Sequence, residues 1–165
     1  MEAMNNTAHI NTYLSFMIQG EYFAVNVGKV LEVILKPKIT RVPNVSDSIA
    51  GVVNFRGEII PAFETRTRFG LPNRNEGDKY VLVILEIERD ESKTTIGAIV
   101  DRVKDVITID EKAIMPVPKM SSKIKAELIT GIFKLNEDFI MLLDVGKMFS
   151  EQEVEGMSEM AINQE

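Results

Sequence analysis

The chain contains no cysteine and no tryptophan, and its only histidine is His9. Without cysteine, the protein cannot form disulfides, bind zinc through thiolates or use a thiolate nucleophile. His9 stands in a polar N-terminal segment, and no second histidine is present to serve as a base that a third group orients. We therefore interpret His9 as a solvated residue, and the sequence argues against serine–histidine catalysis.

Basic residues are fewer than acidic ones. The 19 Lys and Arg residues stand against 25 Asp and Glu residues, for a formal net charge of -6, and the basic residues form no local run. Nucleic acids and anionic membrane surfaces are bound mainly by clustered cations that neutralise phosphates. The composition therefore argues against nucleic acid and against anionic lipid as partners.

Long apolar runs are missing as well. No stretch approaches the roughly 20 residues that a membrane-spanning helix needs, and the polar segment Met1 to Asn11 lacks the apolar region of a signal peptide. We therefore expect a cytoplasmic protein without direct membrane insertion. Hydrophobic residues still make up 45% of the 165 residues, which is enough for one domain or two small ones.

Short alternating runs of apolar residues, interrupted about every ten positions by turn residues, predict β-strands. Tyr13 to Gln19 and Phe23 to Val27 flank Gly20-Glu21 and predict a hairpin. The next segment, 27–34, fits either a helical turn or a continued strand. Further strands are predicted at Gly51 to Phe55, Glu58 to Phe63, Tyr80 to Glu88, Thr95 to Val100, Val103 to Ile109, Leu128 to Leu135 and Phe139 to Val145. Proline at position 61 predicts an edge strand or a bulge there.

Four segments recur in the same order along the chain. YLSFMIQG from Tyr13 resembles YVLVILEI from Tyr80, and the other three pairs are FAVNVGKVLEVI with IGAIVDRVKDVI, ITRVPN with IMPVPK, and IAGVVNF with ITGIFKL. The spacing between partners grows steadily, as loop insertions in a duplicated domain would produce. The sequence therefore predicts a mainly β protein of two small barrels, each of about five strands, divided at the turn-rich linker Gly70 to Asp78.

Carboxylates cluster in the second half without an organised site. Asp101 and Asp105 lie four residues apart, and four more acidic residues precede them: Glu86, Glu88, Asp90 and Glu91. Such groups can bind a hard cation or transfer protons, but their positions on polar strand faces and in a turn favour a solvated surface. No glycine-rich phosphate loop is present. We predict no catalytic, metal or cofactor site.

The turn Asn-Phe-Arg-Gly at 54–57 is a different kind of candidate, because it places a long cation beside a glycine. Arg56 belongs either to an ordinary solvated turn or to a binding surface, where arginine is favoured. Glu32, near the apolar Val30, is either a solvated flank or the polar rim of a partner groove. Four methionines are interpreted as core filler: Met17, Met115, Met120 and Met141.

The segment ITRVPN followed by IAGVVNFRGEIIPAFETRTRFGL resembles the signature region of CheW-family chemotaxis adaptors. Upstream, YFAVNVGKVLEVI is similar to a further family segment. Downstream, IGAIVDRVKDVITI, IMPVP and LITGIFKLNEDFIMLLDV follow the remaining family pattern. The resemblance extends from about Tyr13 to Phe149.

The resemblance implies a CheW-like domain over 13–149, built from two five-stranded SH3-like barrels at about 13–72 and 78–149. In such folds a strand of one half can complete the other barrel, so the two units are expected to intertwine, with flexible termini at 1–12 and 150–165. The departures Phe55, Phe63 and Glu64-Thr65 from the family's aliphatic and Asp-Leu positions leave the fold expectation unchanged.

The implied function is non-catalytic coupling of methyl-accepting chemoreceptors to a CheA-type histidine kinase. The protein is expected to bind the receptor's cytoplasmic hairpin tip between the barrels and the kinase regulatory domain at a barrel end, to be a monomer when free, and to be recruited to receptor arrays at the membrane. The residues implied in partner contact are Val30, Glu32, Gly51, Asn54, Arg56 and Gly57.

Three alternatives differ in partner or chemistry. An adaptor of a non-flagellar chemosensory pathway, for example one for surface motility, would differ only in its partners. A metal-assisted hydrolase would need histidine or an organised carboxylate cluster, and a nucleic-acid-binding barrel would need a basic face.

Overall fold

A computed structural model of the protein describes residues 11–89, 91–117 and 128–148. His9, Asp90, Met120 and nearly all of the two expected flexible termini lie outside these ranges. No helix within the described ranges is long and apolar enough to cross a membrane.

Ten strands form two five-stranded sheets. The strands are β1 (Thr12–Ile18), β2 (Glu21–Asn26), β3 (Val30–Ile34), β4 (Ile49–Phe55), β5 (Glu58–Glu64), β6 (Val81–Arg89), β7 (Ser92–Val100), β8 (Arg102–Thr108), β9 (Ile129–Leu135) and β10 (Asp138–Leu143). A one-turn helix, α1 (Thr65–Arg68), follows β5, and short 3-10 turns lie at Val27–Lys29, Glu111–Ala113 and Val145–Lys147. The mainly β prediction is confirmed.

Each sheet combines strands from both sides of the 70–78 linker. The first sheet has the order β8-β1-β2-β10-β9 and the second has the order β3-β6-β7-β5-β4. In each sheet, a hairpin from one half of the sequence pairs with three strands of the other half. A boundary at the linker therefore separates the two halves of the sequence, whereas the sheets themselves are intertwined.

The internal duplication is visible in the pairing of the strands. β5 pairs in parallel with β7, and β10 pairs in parallel with β2 at the equivalent place. Isolated bridges join Thr40 to Val52 and Met115 to Ile132, again at matching positions of the two halves. The two halves therefore share one topology as well as a sequence pattern.

One of the four sequence matches is displaced. Leu14 of β1 pairs with Val25 and Val106, and the residue with the equivalent partners in β6 is Val83. The match of Tyr13 with Tyr80 would instead place Val81 there. A shift of two residues keeps every side chain on the same face of a strand, so the alternating pattern alone does not detect it.

The core has three parts. The largest part lies between the sheets. It includes Phe16 and Phe23 from the first sheet, together with Phe63 of β5 and Phe69, which follows α1. The Phe23 ring lies 5.5 Å from the Phe69 ring and 6.3 Å from the Phe16 ring. Two smaller clusters lie within the individual sheets, one around Leu82 and Ile84 and one around Ile140 and Leu142. Because aromatic side chains bury large areas, this stack is a major part of the contact between the sheets.

The open choice at 27–34 is resolved as both structures in turn, a 3-10 turn at Val27–Lys29 and then β3. Of the two alternatives predicted at Pro61, the edge strand is wrong, because β5 lies between β4 and β7. The bulge has a counterpart in β4, where the register against β5 shifts between Ile49 and Gly51, next to the Val52–Pro61 pair. Proline is tolerated there because Val52, its partner in β4, directs its own N–H and C=O to Thr40. The ladder with β4 therefore needs no N–H at position 61. The pairing with β7 starts only at Ala62.

Two departures from the family pattern have clear packing. Phe63 is fully buried in the core between the sheets. Thr65 is also buried, and its hydroxyl donates to the carbonyl oxygen of Ile99 at 2.5 Å. A hydrogen-bonded hydroxyl avoids most of the cost of burying a polar group where the family has an aliphatic side chain. Among the methionines predicted as core, Met141 packs against the core, whereas Met115 is 39% exposed and that prediction is wrong.

Candidate functional site

The turn between β4 and β5 has an unusual backbone for its sequence. Arg56 and Gly57 both have positive φ, at 52° and 87°. Two consecutive positive φ angles are typical of the type I′ turn that joins two-residue hairpins, and glycine or asparagine normally supplies them. The Asn54 side chain accepts a hydrogen bond from the Gly57 N–H at 3.1 Å. This hydrogen bond closes the turn. Arg56 thus has a positive φ, a backbone conformation that residues with a side chain disfavour.

Arg56 makes two contacts at the surface. Its guanidinium lies 3.7 Å from the Glu32 carboxylate of β3 and 4.7 Å from the centre of the Phe55 ring. The side chains of Arg56 and Glu32 are 65% and 45% exposed. This turn thus contains three of the six predicted residues, Asn54, Arg56 and Gly57. Glu32, a fourth, forms an ion pair with Arg56.

Val30 lies apart from this group. A bulge shifts the register of β3 against β6 between Val30 and Glu32. Val30 packs against the core between the sheets, whereas Glu32 pairs with Ile84, which belongs to the core of the second sheet. Two residues at i and i+2 share a face only in a regular strand, so the predicted groove shared by Val30 and Glu32 is not formed.

Gly51 is buried and has a packing role. A Cβ atom at this position would lie 2.2 Å from the carbonyl oxygen of Thr40. The segment around Thr40 bridges to Val52 by two backbone hydrogen bonds, of 2.8 and 2.9 Å. Gly51 thus lets the 39–41 segment lie directly over β4. The equivalent glycine, Gly131, lies beneath Ile114 and Met115 in the same way.

One apolar member of this surface was missed from the sequence. Ile59 lies opposite Asn54 in the β4–β5 ladder and is 38% exposed. Directly opposed residues in a ladder lie side by side on one face. We use the name hairpin surface for Glu32, Asn54, Arg56 and Ile59. The equivalent β9–β10 hairpin has Asn136, also at positive φ, in place of Arg56 and the exposed Phe139 in place of Ile59.

The acidic residues of the second half do not form a metal site within the described ranges. Lys93 lies 3.6 Å from Glu86 and 3.9 Å from Glu88. Asp105 is exposed on β8, and only its backbone N–H and C=O bond to the Ser15 hydroxyl. The prediction of a solvated surface thus holds for Glu86, Glu88 and Asp105, but it is wrong for Asp101.

Asp101 belongs to a half-buried charged network with Arg66, Arg74 and Glu64. Arg66 donates to both Asp101 oxygens, at 3.1 and 2.7 Å. Arg74 donates to Asp101 at 2.6 Å and to Glu64 at 3.0 and 3.3 Å. The Gln19 backbone N–H donates at 2.8 Å to Asp101 Oδ2, the oxygen that also accepts the 2.7 Å bond from Arg66. Sequence spacing gave no signal for this network, because its four side chains come from three separate parts of the chain, at 64–66, 74 and 101.

The network alters two pKa values. Burial acts to raise the pKa of Asp101, but hydrogen bonds from Arg66, from the Gln19 N–H and from Arg74 outweigh it and hold the pKa below its ordinary value. Burial likewise acts to lower the pKa of Arg74, and its hydrogen bonds and attraction to Glu64 and Asp101 raise it overall. Both shifts favour the charged forms of Asp101 and Arg74.

Two clefts are lined by charged residues named above. One, of about 450 Å³, is lined by both sheets, with Tyr13 and Asn26 from the first and Glu86 and Glu88 from the second. The other, of about 620 Å³, lies between the 41–50 segment and the residues Glu64, Thr67 and Arg74. Both clefts are lined by polar and apolar groups in similar proportion.

The chain is similar to known chemotaxis proteins over most of its length. A family model of the CheW-like domain matches residues 12–153. The chemotaxis protein CheW of Klebsiella aerogenes is 29% identical over 142 residues, which cover 86% of this chain and 83% of the relative. The chemotaxis protein CheW of Bacillus subtilis is 31% identical over 149 residues, which cover 88% and 93%.

A solved structure supports the same relationship. The crystal structure of the scaffolding protein TtCheW from Thermoanaerobacter tengcongensis is 30% identical, with a TM-score of 0.74 over 87% of this chain and 90% of that chain. This likeness agrees with the two five-stranded sheets. On these grounds the chain belongs to the CheW-like family of non-catalytic chemotaxis scaffold proteins.

Proposed function

We propose that this protein couples chemoreceptors to a CheA-type histidine kinase. The observation that carries the proposal is the hairpin surface, where Arg56 is held outward on a backbone that disfavours it. Backbone strain of this kind persists where the surrounding structure enforces it, often at functional positions. The kinase regulatory domain is the partner we assign to this surface.

The charges of the hairpin surface contribute little to stability. An exposed ion pair at 3.7 Å typically adds between about 0 and 1 kcal/mol. Arg56 and Glu32 therefore have no strong stabilising role that would account for their placement. Both remain exposed, the Arg56 guanidinium lies over the Phe55 ring, and arginine with aromatic contact is favoured at the centre of protein interfaces.

The receptor tip is assigned to a different region, between the two sheets. The cleft lined by Tyr13, Asn26, Glu86 and Glu88 is a candidate groove because both sheets contribute to its walls. An amphipathic helical segment could lay its apolar face on the apolar part of this cleft and its polar face toward the carboxylates. Two partners can then be held at once without competing for the same residues.

Coupling by this route needs no chemical step. A scaffold that holds two partners on one folded unit raises the effective concentration of each near the other. We propose that the protein acts in the cytoplasm as a monomer when free and is recruited through the receptors to arrays at the membrane. Its role in the pathway would be to hold the kinase beside the receptors.

The direct test is the affinity of the purified protein for the kinase regulatory domain, measured by calorimetry. Arg56→Glu is compared with the parent and with Lys112→Glu, an equal charge change at the exposed 3-10 turn Glu111–Ala113. We expect Arg56→Glu to weaken binding by about tenfold or more and Lys112→Glu to leave it unchanged, with all three folded by circular dichroism. Absence of binding by the parent to the kinase of its own organism would contradict the proposal.

A further inference from the structure

The main chain crosses between the sheets at Asp101. β7 of the second sheet ends at Val100, and β8 of the first sheet begins at Arg102. The Asp101 N–H donates to the Met17 carbonyl at 2.9 Å, and its carboxylate accepts from the Gln19 N–H at 2.8 Å. The crossing is thus attached to the end of β1 and to the β1–β2 turn of the first sheet.

The same carboxylate is attached to the second sheet. Arg66 lies in α1, which follows β5 directly, and Arg74 lies in the 70–80 segment and also binds Glu64 at the end of β5. The side chains of Arg66, Arg74, Glu64 and Asp101 are 13%, 9%, 17% and 20% exposed. One carboxylate therefore joins elements of both sheets through charged hydrogen bonds that are largely shielded from solvent.

The duplicated half of the chain provides an internal comparison. The crossing from β2 to β3 is the equivalent place, and there Gly28 stands for Asp101 while Gly146 stands for Arg66. Around this second crossing lies the cleft of about 450 Å³, lined by Asn26, Glu86, Glu88 and Gly146. The same backbone arrangement therefore occurs once with a charged network and once with an open cleft.

The hydrophobic contact between the sheets does not by itself fix their relative angle. Burial of apolar area is non-directional, whereas bidentate arginine–carboxylate pairs demand a specific geometry. Directional bonds at one crossing can therefore select one orientation among several that bury similar area.

We propose that Asp101 is a positioning residue that, with Arg66, Arg74 and Glu64, sets the orientation of the two sheets relative to each other. The network joins the sheets at the Asp101 crossing, whereas Gly28 and Gly146 occupy the places of Asp101 and Arg66 at the other crossing. The relative placement of the hairpin surface and the cleft then depends on this network. That functional consequence rests on the proposed coupling of receptor and kinase, whereas the positioning itself does not.

The test measures the distance between the two duplicated hairpin turns. Spin labels are attached to Glu58→Cys and Glu137→Cys, two exposed positions on different sheets, and the absence of native cysteine leaves no other labelling site. The distribution of distances between the two labels is recorded by pulsed electron paramagnetic resonance. The same labelled pair is measured in the parent, in Asp101→Asn and in Asp105→Asn. The last is the matched control, because it makes the same chemical change at an exposed carboxylate of β8.

We expect a broader or shifted distribution in Asp101→Asn and an unchanged one in Asp105→Asn. An unchanged distribution in folded Asp101→Asn overturns the proposal. Should Asp101→Asn not fold, Arg74→Gln takes its place, since it removes one arm of the network and keeps the Arg66–Asp101 pair. It is expected to broaden the same distribution, and failure to do so likewise overturns the proposal.

Binding to isolated partners separates positioning from general stability. Asp101→Asn is expected to keep its affinity for the kinase domain within about twofold, because the hairpin surface belongs to the second sheet alone. Binding of a receptor-tip fragment, whose cleft is lined by both sheets, and assembly of all three are expected to fall by about tenfold or more. Equal loss of single and joint binding, with an unchanged label distance, would make the network merely stabilising. If the parent binds neither partner but Asp101→Asn alters the label distance, the proposed function fails and the positioning role stands.

Discussion

The guanidinium of Arg56 lies 3.7 Å from the carboxylate of Glu32, and the two residues belong to opposite edges of the second sheet. Glu32 is on the edge strand β3, and Arg56 is in the turn that follows the edge strand β4. An ion pair between opposite edges requires the sheet to curve around its own core, as in a small barrel. This curvature places the hairpin surface at one end of the second sheet.

Exchanging the two charges separates an internal role from a partner contact. The double variant Glu32→Arg with Arg56→Glu can re-form the ion pair with reversed polarity. If the kinase domain recognises Arg56 itself, we expect the exchange to leave binding as weak as in Arg56→Glu alone, with thermal stability close to that of the parent. Calorimetry with the kinase regulatory domain measures the effect, and recovery of parental affinity would show that only the internal pair matters.

Arg56→Asn should separate stability from binding. Asparagine tolerates positive φ better than arginine does, and Asn136 occupies the equivalent place in the second half at φ 58°. We expect the free energy of unfolding to stay the same or rise by up to about 1 kcal/mol, while affinity for the kinase domain falls. Urea unfolding and calorimetry on one preparation provide both values, and a marked loss of stability would contradict this account of the turn.

Gly51→Ala should destabilise the protein because the new methyl group would meet backbone and not a movable side chain. The nearest atoms are the carbonyl oxygen and carbon of Thr40, at 2.2 and 2.8 Å. We expect a loss of about 2–3 kcal/mol in the free energy of unfolding. Gly146→Ala is the control, since its methyl would lie 3.4 Å from Asp144, and it should change stability by less than about 0.5 kcal/mol.

Stability should fall in acid partly through Asp101. Its pKa is lower in the folded protein than its ordinary value, so its contribution is present above the unfolded pKa of about 3.9 and is lost as the pH falls toward the folded pKa. At pH 7 we expect Asp101→Asn to be less stable than the parent by about 1.5–3 kcal/mol. The difference should shrink below about pH 4.

Urea unfolding of the parent, Asp101→Asn and Asp105→Asn at pH 7 and near pH 3 checks this dependence. Asp105→Asn should follow the parent closely, because that carboxylate is exposed. A difference between the parent and Asp101→Asn that stays constant across the pH range would show that the carboxylate charge is not responsible.

The strands were predictable because their signal is local. Leu14, Phe16 and Ile18 recur at every second position, and all three are buried in the core between the sheets. The repeated segments also revealed the duplication, since each repeat folds into the same set of strands. The exchange of hairpins between the sheets was not visible in either pattern and entered only through the family resemblance.

The errors have a common physical origin in contacts that are remote along the chain. The bulge that separates Val30 from Glu32 depends on how β3 meets β6, and strand periodicity does not specify it. Asp101 was taken for a solvated residue because its partners Arg66 and Arg74 come from distant segments. Ile59 is exposed on a strand whose other apolar residues are buried, and an alternating pattern does not show which end of a strand faces solvent.

The division of the chain into subdomains at about 13–72 and 78–149 remains a prediction. The sheets combine β1 and β2 with three strands of the second half, and β6 and β7 with three of the first. Whether either half folds alone depends on how much of its core survives without the exchanged hairpin. Expression of each half as a separate chain addresses that question.

The central claim is that one molecule of this protein holds the kinase and the receptor together. The most direct measurement is sedimentation of purified kinase with receptor-containing vesicles, with and without the protein, at fixed lipid and salt concentrations. We predict that the kinase sediments only when the parental protein is present and that Arg56→Glu abolishes this recruitment while Lys112→Glu does not. Kinase that sediments equally well without the protein, or that never sediments in its presence, would contradict the claim.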